Sequence, residues 1–257
     1  MKNFEKFKIL HIQKSPFHIG NVWDANSAIM LEKSGYKAIG TSSAAIAASL
    51  GYEDGEQMSF DELLHVIKSI KDKTSLPLTA DIEAGYSRDP NIICENIIKL
   101  SDLGVVGINL EDSIVSNGNR KIVDANEFSE TLSFIKGHLL KEDIEVFLNI
   151  RTDSYILGLE NPLKETMNRC ELYEKSGADG LFVPCITDEK DISMIVGNTS
   201  APINVMTMPN LPPFSKLQQL GVKRISSGPF LYNTVNKYFN DLLEEIDTLQ
   251  SFSPMFK

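Results

Sequence analysis

Leu103-Gly104-Val105-Val106-Gly107-Ile108-Asn109-Leu110-Glu111-Asp112 joins a helix end, a strand and two acids in one short stretch. Ahead of it Ile92, Ile93, Ile97, Leu100 and Leu103 make an apolar helical stripe, closed by Gly104. Gly107 to Asp112 then reads as a short buried strand with carboxylates at its C-terminal end. The same joint, a helix stopping at glycine before a strand, recurs at Ser34-Gly35-Tyr36, Ser176-Gly177-Ala178 and Leu220-Gly221-Val222.

Working outward, β-rich runs fall at Phe17 to Trp23, Ala38 to Ser42, Leu78 to Glu83, Gly107 to Asp112, Val146 to Thr152, Gly180 to Cys185, Ile203 to Met208 and Arg224 to Gly228. Helical segments separate them. Phe60 to Lys73 puts Leu63, Leu64, Ile67 and Ile70 on one face after a Ser59 cap with Glu62 three residues on. Asn161-Pro162 opens another helix with a cap and a first-turn proline. Apolar strands alternating with helices predict a parallel sheet covered on both faces. Eight such units predict an α/β protein of the closed (β/α)8 TIM-barrel type. The open doubly wound sheet is disfavoured, since neither GxGxxG nor GxxxxGK[ST] is present. No linker divides the chain, so residues 1–257 are expected to form one domain. The last helix, from about Leu231 to Leu249, and the apolar Phe252, Met255 and Phe256 point to a subunit contact over about 230–257.

Bulk composition excludes several partners. A net charge of −10 and a pI near 5.0 disfavour nucleic acid and anionic membranes. Cys94, Cys170 and Cys185 have no paired spacing, as in a reducing compartment. No apolar run has the length of a signal peptide core or a membrane span, and a cytoplasmic location is expected.

In a barrel of this kind the chemistry lies at the C-terminal ends of the strands. Asp81 and Glu83 end the third run; being two residues apart on a strand, they should project from one face. With Asp54 and Glu111 they make four acids converging near one arginine, Arg151. Carboxylates without His or Cys neighbours suit a hard cation that keeps some of its waters. Arg151 suits a substrate carboxylate, with an ion pair to Asp153 or Glu111 as the alternative. Ser42 and Ser43 could receive a second carboxylate or an oxyanion. Trp23 is a packing residue at the mouth within reach of a ligand. The four histidines have no metal-ligand spacing, and Cys185 has no base beside it.

These stretches resemble the isocitrate lyase/phosphoenolpyruvate mutase superfamily over roughly Asn21 to Tyr238. The resemblance is carried by Ser42-Ser43 with Leu50-Gly51-Tyr52-Glu53-Asp54, Asp81-Ile82-Glu83-Ala84-Gly85-Tyr86, Asn109-Leu110-Glu111-Asp112, Ile150-Arg151-Thr152-Asp153 and Ser176 to Phe182. It implies a (β/α)8 barrel, Mg²⁺ (or Mn²⁺ in its place) held by Asp54, Asp81, Glu83 and Glu111, and a 2-oxo acid or phosphonate substrate. It places the substrate's carboxylate and oxo groups against Arg151, Ser42 and Ser43, and with Trp23 and Asp81 these are the expected substrate-binding residues. Homodimers or homotetramers that exchange the last helix are implied as well. Two departures stand out. Glu83 occupies a position where the family usually has Asp. The loop Ser113 to Lys121 has neither the cysteine and histidine of the lyases nor the Lys and Asn pair of the phosphonate enzymes: Asn119 matches the Asn, but Asn117 stands where the Lys would be. Asn119, Arg120 and Arg151 are the catalytic candidates, with Lys121 an alternative to Arg120. The leading expectation is a lyase or hydrolase cleaving a carbon–carbon bond of a 2-oxo or 2-hydroxy acid through a pyruvate-type enolate. Phosphonopyruvate/phosphoenolpyruvate mutase or hydrolase chemistry is the alternative, and a non-catalytic 2-oxo acid binding protein the third.

Overall fold

The computed structural model describes residues 1–256, and its eight parallel strands close into a barrel with helices between them. The barrel strands are β1 (Phe17–Val22), β2 (Ile39–Thr41), β3 (Leu78–Asp81), β4 (Gly107–Glu111), β7 (Phe147–Arg151), β8 (Gly180–Val183), β9 (Ile203–Met206) and β10 (Arg224–Ser226). They pair in chain order, and β10 returns to β1. Each expected run is a strand, cut short at its C-terminal end where the chain leaves the sheet to build the rim.

On their outward side the runs are apolar. Ile108, Leu110, Leu148, Ile150, Leu181, Val183, Ile203, Val205 and Ile225 belong to the core between sheet and helices. Between them along the strands Asn109, Asn149, Asn204 and Arg224 meet one another across the barrel interior. Strand alternation produces both faces at once. Below, a second apolar cluster of Phe7, Leu10, Phe17, Ile19, Ala38, Val106 and Phe147 closes the barrel floor. α1 (Asn3–Ile12) lies across that floor. There His11 is buried and stacks on Phe147 at 4.1 Å, a core residue.

The outer helices are α2 (Ala25–Lys33), α3 (Ser43–Leu50), α4 (Phe60–Lys71), α5 (Pro90–Asp102), α6 (Ala125–Lys141), α7 (Pro162–Lys175), α8 (Glu189–Gly197), α9 (Phe214–Gln219) and α10 (Phe230–Leu249). Ser59 and Glu62 make the expected reciprocal cap of α4. Asn161 does not cap α7, since its side chain makes no cap hydrogen bond; the first-turn Pro162 opens the helix alone. On α10 no residue is buried, and Val235, Tyr238, Phe239 and Leu243 are exposed, as are Phe252, Met255 and Phe256 after it. Of the tail expected at a subunit contact, Lys257 lies outside the described residues. No helix among the described residues is long and apolar enough to cross a membrane.

Candidate active site

The segment after Glu111 is not an open loop. Ser113–Ser116 (β5) and Asn119–Ile122 (β6) form an antiparallel hairpin over the rim. Its turn is Asn117-Gly118, with φ of 52° and 73°, the left-handed pair that a two-residue hairpin needs to match strand twist. Asn-Gly is the sequence signal for such a turn. The hairpin docks on the neighbouring turn: at Gly55, where φ is 109°, a Cβ would stand 2.6 Å from Val115. Only glycine fits there. A further strap, Tyr86 N–H donating to Glu56 at 2.7 Å and Arg88 paired with Glu56, holds the Asp54 segment to the β3 turn.

Register along the hairpin decides which side chains reach the site. Arg120 turns in: its Nη1 donates to Ser113 Oγ at 2.8 Å and Asp153 Oδ2 at 3.1 Å and contacts Glu111 Oε1, while Nη2 donates to Asp54 Oδ2 at 3.0 Å. Asn119, its neighbour, faces out: it is exposed and donates to the Asn117 carbonyl of its own turn at 3.1 Å. Asn119 is therefore not at the site, because neighbours on a strand point to opposite sides. The acids meet two arginines rather than one.

Arg151, at the end of β7, is clamped from both sides. Its Nε and Nη2 donate to the two oxygens of Asp153 at 2.6 and 3.0 Å, and Nη1 lies 2.8 Å from Glu111 Oε2. The ion pairs expected as an alternative to substrate binding are both present, yet hydrogen bonds, all to Asp153, engage only two of the five guanidinium N–H groups. Asp153 is held in turn: its N–H donates to Asp112 Oδ1 at 3.0 Å, and Ser113 Oγ donates to its Oδ2 at 2.5 Å. Burial would raise the Asp153 carboxyl, but Arg151, Ser113 and Arg120 together outweigh it and hold the group below its usual range. Burial pushes Glu111 up to about 7, against the opposing pull of Arg151.

Asp81 and Glu83 do not share a strand face. β3 ends at Asp81, and Glu83 sits beyond it with φ of 50°, a conformation L-residues with side chains rarely hold. The turn still brings them together. Asp81 accepts from Ser43 Oγ at 2.8 Å and Ser43 N–H at 3.3 Å, at the first turn of α3, while Ser42 Oγ caps Ala45 N–H at 3.3 Å. Glu83 is 3% exposed, and burial, followed by Asp54, Glu111 and Asp81, pushes it up to about 9. Its folded pKa thus lies above that of the unfolded chain, so stability is lost as pH rises between the two. Without divalent cation, Glu83→Gln should accordingly melt above wild type at pH 8.5 and close to it at pH 5. Thermal denaturation at the two pH values checks this, and a lower melting temperature for the variant at pH 8.5 rules it out.

Four mutually repelling carboxylates, Asp54, Asp81, Glu111 and the buried Glu83, suit a hard cation. Among the described residues, however, no three His, Cys, Asp or Glu side chains are gathered so as to hold an ion between them. The donor set fits an ion such as Mg²⁺ that keeps several waters. Beside it lies a cavity of about 160 Å³ lined by residues that include Ser42, Ser43, Asp54, Asp81, Asn109 and Arg151. That volume takes a ligand of a few heavy atoms. Trp23 is not part of the lining; its ring meets Tyr232 of α10 at 5.2 Å. Cys185 lies 4.0 Å from Met208 Sδ, and burial raises its thiol pKa, so it is not an activated thiolate.

A TIM-type barrel with acids, two arginines and a small cavity at its C-terminal mouth defines the class. The family model for phosphoenolpyruvate phosphomutase matches residues 7–247, and the chain belongs to that family. It is 32% identical to an uncharacterised protein of Mycobacterium tuberculosis, covering 88% of this chain and 83% of the relative. An oxaloacetate decarboxylase of Pseudomonas fluorescens is 27% identical over 93% of this chain and 83% of its own length. Among solved structures, a candidate phosphonomutase of Burkholderia cenocepacia J2315 superposes with a TM-score of 0.88 at 33% identity, covering 94% of this chain and 99% of that one. A phosphonopyruvate hydrolase solved with oxalate and Mg²⁺ shares the fold at a TM-score of 0.84 and 19% identity, over 98% and 89% of the two chains. Among these relatives are enzymes of carbon–carbon and of phosphorus–carbon bond chemistry.

Proposed function

We propose that the protein is a Mg²⁺-dependent lyase or hydrolase that cleaves a carbon–carbon bond of a small 2-oxo or 2-hydroxy carboxylic acid through a pyruvate-type enolate. The observation that carries this reading is the cavity shared by Arg151, Asp81 and the Ser42-Ser43 turn. Arg151, oriented by Asp153 and Glu111, offers its remaining N–H groups to a carboxylate. The first turn of α3 adds the positive end of a helix beside Ser43. Asp54, Asp81, Glu83 and Glu111 would hold the cation. When bound, the ion supplies Lewis-acid stabilisation of charge developing on the 2-oxo oxygen. Arg120, carried over the rim by the hairpin, bridges Asp54, Glu111 and Asp153 and adds positive charge where the family's lyases have a loop cysteine.

Phosphorus–carbon chemistry on a phosphonopyruvate-type substrate is the second reading, favoured by the likeness to the candidate phosphonomutase. We also infer that the uncovered face of α10 meets a second copy of this chain, giving a dimer or tetramer. The test is a product screen with oxaloacetate, 2-hydroxy diacids and phosphonopyruvate, with and without Mg²⁺, on protein whose mass is read by light scattering. Pyruvate-type products with Mg²⁺, lost in Asp81→Ala, support the leading reading; release of phosphate from phosphonopyruvate transfers it to the second. Turnover that survives both EDTA and Asp81→Ala refutes the site.

A further inference from the structure

Three asparagines sit in mid-strand, where this residue is normally depleted, and they touch in a row. Asn204 Nδ2 donates to the backbone carbonyls of Val205 at 2.6 Å and Arg224 at 3.4 Å. A carbonyl only accepts, so the orientation of this amide is dictated and its Oδ1 must face Asn149. Asn149 Nδ2 donates to that oxygen at 3.2 Å and to Asn109 Oδ1 at 2.8 Å. Arg224, which has no acceptor atom, also donates through Nη2 to Asn109 Oδ1, at 3.3 Å. Two independent neighbours thus require the Asn109 oxygen to point down into the barrel. Its Nδ2 has no partner among the described residues, and Asn109 lines the cavity that holds Arg151 and Asp81.

Beneath that amide lies a buried cation, on which Asp81 acts only from a distance. Arg224 is 1% exposed, forms no ion pair among the described residues, and leaves Nε and Nη1 without hydrogen bonds. Its charge adds to the amide dipole in the same direction, toward the cavity floor.

We propose that Asn109 is a specificity-determining residue of this site: its Nδ2 donates to an anionic oxygen of the bound acid from the cavity floor, opposite the rim where Arg151 grips. The charged Arg224 and the Asn204–Asn149 amide row are its positioning residues. The class of ligand follows. It is a compact anion with acceptor oxygens at both ends, such as a 2-oxo carboxylate, and a ligand presenting a cationic or donor group to the floor is rejected. This proposal rests on the reading of the cavity as a 2-oxo acid site.

The experiment is oxalate binding by calorimetry at saturating Mg²⁺. Asn109→Asp is isosteric and keeps the oxygen facing Arg224 and Asn149, so under a purely structural role folding stays intact or improves and the added charge, acting without contact, weakens oxalate by less than about tenfold. The floor-donor role instead puts a second carboxylate oxygen where Nδ2 was, and oxalate affinity falls by about 100-fold or more. Asn109→Ala, which removes the donor without adding charge, loses about tenfold. Affinity within about tenfold of wild type in a folded Asn109→Asp variant overturns the role of Asn109 alone. Failure of the wild-type protein to bind oxalate overturns the 2-oxo acid reading and this proposal with it.

Discussion

Asp112→Ala is expected to lower stability by about 3–5 kcal/mol, the range for removing one partner of a buried charge pair. Asp112 is fully buried, and its Oδ2 accepts from Arg169 Nη1 at 3.0 Å and Tyr173 Oη at 2.7 Å. Its other oxygen takes the Asp153 N–H. Without it, Arg169 keeps Glu165 at 2.6 Å and the Tyr173 hydroxyl at 2.9 Å but loses its buried carboxylate, and the Asp153 amide loses its only bond. The melting temperature should drop by about 6–20 °C, at about 2–4 °C per kcal/mol for a chain of this size. Asp112→Asn, which keeps an acceptor for the amide or for Arg169, should lose less. A drop under 2 °C, as an estimate of the noise below which no buried pair was broken, would show that Arg169 is satisfied elsewhere. Since Asp112 reaches Arg151 through Asp153, the same variant should also weaken ligand binding at temperatures where it remains folded.

Arg151→Lys should cost about 10²–10³ in turnover on the substrate that the screen identifies, the range for losing one preorganised donor to developing charge. Lysine retains the charge but not the fork. It cannot bond both oxygens of Asp153 while reaching Glu111 and still present N–H groups to a carboxylate. The fold should survive, because one cation still faces Asp153 and Glu111. Steady-state kinetics with a melting curve separates the two effects. Equal turnover in a stable variant would make Arg151 a structural ion-pair partner and move ligand recognition to Arg120.

Repeated local pattern made much of the barrel legible. Helix–glycine–strand joints and eight short apolar runs specify β/α units, and units of that number close on themselves. The rim acids were legible for the same reason, since strand ends are marked by where the apolar run stops. Three features were not. Glu83 was assigned by strand alternation, but the strand ends at Asp81, and the left-handed turn that follows decides where its carboxylate goes. The hairpin was read as a loop although Asn117-Gly118 announced it; once it pairs, Arg120 and Asn119 face opposite ways, and only Arg120 enters the acids. The inward asparagines were hidden inside runs that average as apolar. Asn in mid-strand, at Asn109, Asn149 and Asn204, was the available signal.

By itself the sequence determined the unit of construction, the order of the strands and the residue types gathered at their ends, because these follow from period, turn chemistry and alternation over a few residues. Only the tertiary structure decided what those residues do to one another. Arg120 and Asp54 are 66 positions apart, and Arg224 and Asn109 are 115 apart. Whether such groups pair, repel or orient one another depends on distances that closing the barrel creates, and Coulomb and hydrogen-bond energies act on those distances alone.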